Sequence, residues 1–262
     1  MYNFELVKPT TVEEAVAALK AEEAQPLSGG QTLIPTMKQR LAAPEVLVSL
    51  AGIAEIKGVS VADGVLTIGG GTTHAVVAKE AAEVYPARAY LAGKIGDPAV
   101  RNRGTIGGSI ANNDPAACYP AAALASGATI VTNAREIAAD DFFDGLFTTA
   151  LEEGEIITAV RFPVPDAAHY AKFAQPASRF PLVGVFVARF GSEARVAVTG
   201  AGEDGVFRWS AAEEALSRDF SEEALSELTL SPEGLMSDLH GSAAYRAHLV
   251  KVMTGRAVAA AG

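Results

Sequence analysis

Two short glycine-centred stretches carry the residues best suited to chemistry. Leu27-Ser28-Gly29-Gly30-Gln31-Thr32 and Thr105-Ile106-Gly107-Gly108-Ser109 share one form: an apolar and a hydroxyl residue, in opposite orders, then a Gly-Gly pair, and then Gln-Thr or Ser. Consecutive glycines let the backbone approach a ligand closely, and successive N–H groups form a concave anion site. A helix starting at such a loop adds its partial positive charge. A diphosphate needs donors from more than one direction, so two matching loops predict a two-sided clamp on a dinucleotide. Neither is a Walker loop, because no Gly-Lys-Ser/Thr follows, and neither has G-x-G-x-x-G spacing within a βαβ unit. A single Gly-Gly turn reads as structural; two matching ones in one domain favour a clamp.

Other chemistry-bearing residues form no constellation. His74, His169, His240 and His248 lack metal-ligand spacing. No Ser-His-Asp or Cys-His arrangement can be argued, so no catalytic residue is assigned. Cys118 is the only cysteine, which excludes an intrachain disulfide and an iron–sulfur cluster held by this chain alone. It reads as a small buried apolar residue at a helix start. Trp209 reads as core, and the run Glu152 to Glu155 as a solvated turn.

The elements that must position these loops follow from pattern. "NFELVKP" reads as a strand, and Thr11 with Glu14 offers a capping box for "VEEAVAALK". "QPL" feeds the first loop, and "EVLVSL" is a further strand. "GVSVADGVLTIGGG" reads as a hairpin turning at Asp63-Gly64. A helical stretch capped by Thr72 or Thr73 and interrupted by Pro86 leads to the second loop. "TIV" and "EIITAVRF" are strands, and Pro163 with Pro165 marks a boundary. Two antiparallel strands then join at Gly191-Ser192. "SAAEEAL", "SEEALSEL" and "SAAYRAHLVKVMTGRAVAA" read as helices, the last fraying at its end.

The 262 residues, 49% hydrophobic and 20% charged, suit one large or two modest globular domains. A formal charge of -10 argues against nucleic acid and against an anionic membrane surface. Any phosphate must therefore be held locally, by backbone N–H groups. The N-terminus lacks the pattern of a signal peptide, and no apolar run is long enough to span a membrane. A cytoplasmic setting is expected.

"LSGGQTLIPTMKQRLAAPEVLVSL" and "IGDPAVRNRGTIGGSIANNDPAACYPAAALASGA" resemble the two flavin-binding loops of the medium subunit of molybdenum hydroxylases, the group of carbon monoxide and xanthine dehydrogenases. The likeness continues through "HYAKFAQPASRFPLVGVFVA" and "SAAYRAHLVKVM". It implies an α+β fold: a two-lobed FAD-binding domain of the vanillyl-alcohol oxidase type over residues 1–163, then a smaller α+β domain over 164–262. It implies FAD held without covalent attachment by Ser28, Gly29, Gly30, Gln31, Thr32 and Leu33 and by Thr105, Ile106, Gly107, Gly108 and Ser109. Lys172, and with it Arg179, would face the isoalloxazine, whose reduced edge gains negative charge.

The resemblance further implies an electron-transfer subunit. A small partner with [2Fe–2S] clusters would deliver electrons, a large partner would carry the molybdenum cofactor, and the flavin would pass electrons to quinone or NAD. The assembly would be a dimer of heterotrimers, cytoplasmic or peripheral at the inner face of the membrane through its complex. The alternatives are a stand-alone flavin oxidoreductase and a flavin-free scaffold subunit. One departure bears on the site: the family pattern places an aspartate where Cys118 stands. Cysteine is a poor acceptor, so that contact is expected to be lost or passed to Asp114 or Asn113, at about 0.5–1.5 kcal/mol.

Overall fold

The structure, a computed structural model, describes residues 1–261. The chain begins with β1 (Glu5–Val7), α1 (Val12–Ala18), β2 (Ala24–Leu27), α2 (Leu33–Lys38) and β3 (Val46–Ser49). The strands form a parallel sheet of order β1-β3-β2. Thr11 caps α1 by accepting the Glu14 N–H at 3.2 Å. The Glu14 carboxylate returns a bond to the Thr10 N–H at 2.7 Å, one residue earlier than a capping box has it.

The hairpin of β4 (Val59–Ala62) and β5 (Val65–Gly69) turns at Asp63 and Gly64, both with positive φ, as Asp-Gly favours. Five helices follow: α3 (His74–Glu80), α4 (Pro86–Gly93), α5 (Pro98–Arg101), α6 (Ile106–Asn112) and α7 (Cys118–Ala125). Pro86 starts α4 rather than kinking a longer helix, since the first turn needs no N–H from it. β6 (Thr129–Thr132), β7 (Glu136–Ala138) and β8 (Ile157–Pro163) complete an antiparallel sheet of order β4-β5-β8-β6-β7. β7 has only three residues and escaped the pattern reading.

The third sheet is a meander of β9 (Ala167–Ala174), β10 (Pro181–Phe190), β11 (Glu193–Gly202) and β12 (Gly205–Arg208). Its other face packs against α8 (Ser210–Arg218) and α9 (Ala243–Ala261), burying Val185, Val196, Leu216, Val250 and Met253 together. "SEEALSEL" makes only a 3₁₀ turn at Glu223–Leu225. Its apolar residues are too few for a helical stripe, and the Ser221 hydroxyl accepts the Ala224 N–H at 3.4 Å, a local bond that competes with helix. α9 runs helical through Ala261, with Ala257 and Val258 buried.

Between the second and third sheets lies α7, whose eight residues are all buried. They share one core with Leu66, Ile130, Val160 and Phe162 on one side and Phe186 and Ala197 on the other. Arg88 on α4 is fully buried there, 3.7 Å above the Phe162 ring, donating to the Ala122 carbonyl at 3.1 Å. Its burial without a carboxylate pulls its pKa down to about 10. The two halves are tied by polar bonds as well. The Thr199 hydroxyl donates to the Ala117 carbonyl at 2.7 Å and also lies 2.9 Å from that of Pro115, and Arg195 donates to the Leu124 carbonyl at the end of α7.

Asp140 receives both Arg195, at 2.6 Å, and Arg208, at 3.1 Å. Because Asp140 is well exposed, Asp140→Asn should cost only about 1 kcal/mol by chemical denaturation, with the difference shrinking in high salt. A loss of several kcal/mol would mean that this ion pair, rather than the apolar contact through α7, joins the halves.

Candidate cofactor-binding cleft

The first glycine loop leaves β2 and enters α2 along one wall of a cleft of about 600 Å³, within the range of small-molecule and cofactor sites. The residues that open α6 and α7 line the same cleft, β9 of the third sheet contributes Lys172, and the loop between β9 and β10 contributes Arg179 and Phe180. Ser28, Gly29, Gly30, Gln31, Thr32 and Leu33 all line the cleft, as do Thr105, Gly107, Gly108, Ser109, Asp114, Cys118 and Lys172.

The two loops are not equivalent. From Gly29 to Leu33, the backbone N–H groups find no partner among the described residues. Gly30 sits at φ +69°, which turns the chain into α2 and keeps this run of donors at the cleft wall. In the second loop every donor from 106 to 109 is engaged within the chain. Ile106 donates to the Thr72 carbonyl, Gly107 to the Gly70 carbonyl, Gly108 to the Thr105 hydroxyl and Ser109 to the Thr105 carbonyl. The expectation of two equivalent N–H cradles is therefore corrected: one loop carries the donors and the other braces it. The brace includes a direct bond between the Ser28 and Thr105 hydroxyls at 2.7 Å.

The glycines serve this packing more than an opening toward a ligand. A Cβ on Gly29 would lie 2.1 Å from the Arg103 carbonyl oxygen, and one on Gly107 would lie 2.6 Å from that of Gly70. Two expected site residues fall elsewhere. Ile106, the first residue of α6, is fully buried in the core beside Ile110 rather than in the cleft wall. Asn113 is buried in a left-handed conformation, and its amide donates to the Gly145 and Thr148 carbonyls at 2.8 Å each. Its side-chain N–H groups pin the 144–149 loop, its buried Oδ1 has no partner, and it is Asn112 that lines the cleft.

Asp114 accepts the Ala116 N–H at 2.8 Å, while burial raises its pKa. Cys118 is buried at the first position of α7, as expected, yet its thiol borders the cleft. The Lys172 ammonium lies 3.5 Å from that sulfur and donates to the Lys94 carbonyl at 2.9 Å. Trp209 is core, packed with the third sheet. Glu155 is not a solvated turn residue: it binds Arg135, which lowers its pKa, and it reaches the cleft wall.

His74, set aside in the sequence for want of metal-ligand spacing, borders the site. It lines the cleft, is buried, stands 5.3 Å from the Tyr119 ring and has an Nδ1 without a partner. Burial, helped by Arg101, lowers its pKa to about 4. The available signal was the triplet Gly69-Gly70-Gly71, a third glycine cluster that ends three residues before it. No cluster of His, Cys, Asp or Glu among the described residues can hold a metal, and none of the helices is long and apolar enough to cross a membrane.

Residues 2–165 match the family described as the FAD binding domain in molybdopterin dehydrogenase. The carbon monoxide dehydrogenase medium chain of Afipia carboxidovorans is 34% identical, covering 98% of this chain and 96% of its own length. The nicotine 6-hydroxylase medium subunit of Paenarthrobacter nicotinovorans is 32% identical over 97% and 95%. Among solved structures, quinoline 2-oxidoreductase from Pseudomonas putida 86 matches with a TM-score of 0.88 at 30% identity, covering 99% of this chain and 97% of that one. The chain belongs to the FAD-binding medium subunits of molybdenum hydroxylases. It is an FAD-containing oxidoreductase subunit of the kind that works within a complex. The cleft fits that cofactor, because the unpaired N–H run from Gly29 to Leu33 is suited to an anionic diphosphate.

Two outcomes follow from this geometry. Gly107→Ala should cost about 1–3 kcal/mol by overpacking and cut FAD retention after gel filtration, because the second loop can no longer seat on Gly70. The second concerns acid. The unfolded chain protonates His74 near pH 6.5, whereas the folded chain does so only near 4. Stability therefore falls as the pH drops through that window. Urea unfolding at pH 7 and pH 5 should show a smaller difference for His74→Gln than for the parent.

Proposed function

We propose that this chain is the electron-transfer subunit of a molybdenum hydroxylase complex. It holds FAD in the cleft, receives electrons from the [2Fe–2S] clusters of a small partner and passes them to an external acceptor, quinone or NAD. The observation that carries this reading is the run of unpaired N–H groups from Gly29 to Leu33 on the cleft wall. In this reading those five donors take the diphosphate, and the Ser28–Thr105 bond fixes the loop at the right distance from the second. The Ser109 hydroxyl and Asp114 are left for the ribityl hydroxyls, and Lys172 with Arg179 for the ring system. Bound FAD supplies the redox chemistry; the protein positions it, shields it and sets the charge around it.

Two features favour a subunit over a self-sufficient catalyst. With one cysteine the chain cannot ligate an iron–sulfur cluster by itself. The relatives carry the names of dehydrogenases or hydroxylases for substrates as different as carbon monoxide and nicotine. Substrate choice then belongs to a large subunit with the molybdenum cofactor. The full assembly we propose is a dimer of heterotrimers in the cytoplasm. The fold would be of the vanillyl-alcohol oxidase type, with the first and second sheets as its two lobes and the 163/164 boundary separating it from the smaller domain.

Purified protein supplemented with FAD and then desalted should keep the visible absorption of oxidised flavin, and affinity purification from its source should bring a large and a small cysteine-rich polypeptide with it. Gly30→Val, which puts a β-branched residue at φ +69°, should lose most of the bound flavin with the third sheet still folded by hydrogen exchange. Colourless parent protein after FAD addition would overturn the reading.

A further inference from the structure

Four charged side chains line the cleft: Asp114, Glu155, Lys172 and Arg179. Glu155 is bound to Arg135, and burial drives Asp114 toward its neutral form. Lys172 makes no salt bridge with any described carboxylate. Its neighbours are neutral: the Lys94 carbonyl at 2.9 Å and the Cys118 thiol at 3.5 Å. These two contacts aim the ammonium without compensating it. The position nearest to it on α7 is occupied by sulfur, whereas a carboxylate there would close an ion pair.

We infer that Cys118 is a positioning residue whose neutrality leaves the Lys172 charge available to the bound flavin, so that the pair raises the reduction potential of the cofactor. This rests on the FAD reading above. The unpaired N–H donors suited to a diphosphate lie in the loop from Gly29 to Leu33, whereas Lys172 belongs to β9 of the third sheet, and both line the one cleft. The remaining negative charge on the ligand is the one that reduction places on the pyrimidine edge of the ring. A cation there binds the reduced form better than the oxidised form. By linkage, that preference is a more positive potential. An aspartate at 118 would neutralise the lysine and reverse the effect, and a serine would not.

The test is a spectroelectrochemical titration of the FAD-loaded chain and of four variants, alongside FAD dissociation constants for the oxidised cofactor. Lys172→Met should weaken binding of reduced relative to oxidised flavin about tenfold, a shift of about 30 mV to more negative potential for a two-electron couple. Cys118→Asp should shift the potential in the same direction while keeping FAD bound. Lys172→Arg and Cys118→Ser should stay close to the parent, which a merely structural role for either residue would not produce. An unchanged potential in Lys172→Met overturns the inference, as does a Cys118→Ser shift equal to that of Cys118→Asp. Weaker binding of oxidised FAD in Lys172→Met with no potential shift would reassign the lysine to the diphosphate and also overturns it. Failure of the parent to bind FAD at all is a separate result and refutes the functional reading instead.

Discussion

Everything in the cleft depends on the meeting of three glycine turns at distances that exclude a side chain. Gly70 donates to the Thr158 carbonyl at 2.8 Å and accepts from Gly107 at 2.9 Å. A Cβ on Gly70 would lie 2.1 Å from the Ile157 carbonyl oxygen, and Gly29 is pressed equally hard on Arg103. The second sheet thus seats the second loop through Gly70, and the second loop seats the first through Arg103, Gly104 and the Thr105 hydroxyl. The outcome is an asymmetric division of labour. The second loop engages its own N–H groups to become rigid, and that rigidity holds the first loop with its N–H groups unpaired. A loop with five unpaired donors would not keep one shape alone, since exposed backbone groups find partners wherever the chain lets them.

The third sheet enters the site through α7. A helix with every residue buried must be covered on all sides, and the sheets on either side supply that cover. The packing brings β9 beside the start of α7, which is why Lys172 reaches Cys118 across 54 residues of sequence. The cleft therefore borrows part of its wall from the third sheet, and its charge there is set by residues far apart in the chain.

Much of this was legible in the sequence where a local rule had a single physical reading. The Asp63-Gly64 hairpin, the Thr11 cap and the antiparallel pairing of β10 with β11 across Gly191-Ser192 came out as patterned, although both strands are buried almost throughout rather than on alternate residues. Both glycine loops border the cleft, as their composition suggested. What pattern could not reveal was partnership. Whether the N–H groups of Gly107 and Gly108 face a ligand or the protein depends on Gly70 and Thr105, and only the fold brings Gly70 there. Asn113 falls outside the cleft lining for the same reason: its amide meets two carbonyls more than thirty residues away. His74 carried no spacing signal because its role comes from burial beside a cleft, not from companions of its own kind.

The overall charge of -10 and the anionic ligand are reconciled by scale. Surface carboxylates act through water and salt, so their repulsion fades within about 8–10 Å at ordinary ionic strength. Backbone dipoles and one uncompensated ammonium inside a cleft act at contact distance with little screening. A basic surface would attract any polyanion, whereas the fixed dipoles of one loop in a narrow cleft favour only a ligand whose anionic group fits that loop. Selectivity for the cofactor thus comes from keeping attraction local, and the acidic exterior reinforces it by repelling polyanions that the cleft has no shape to accept.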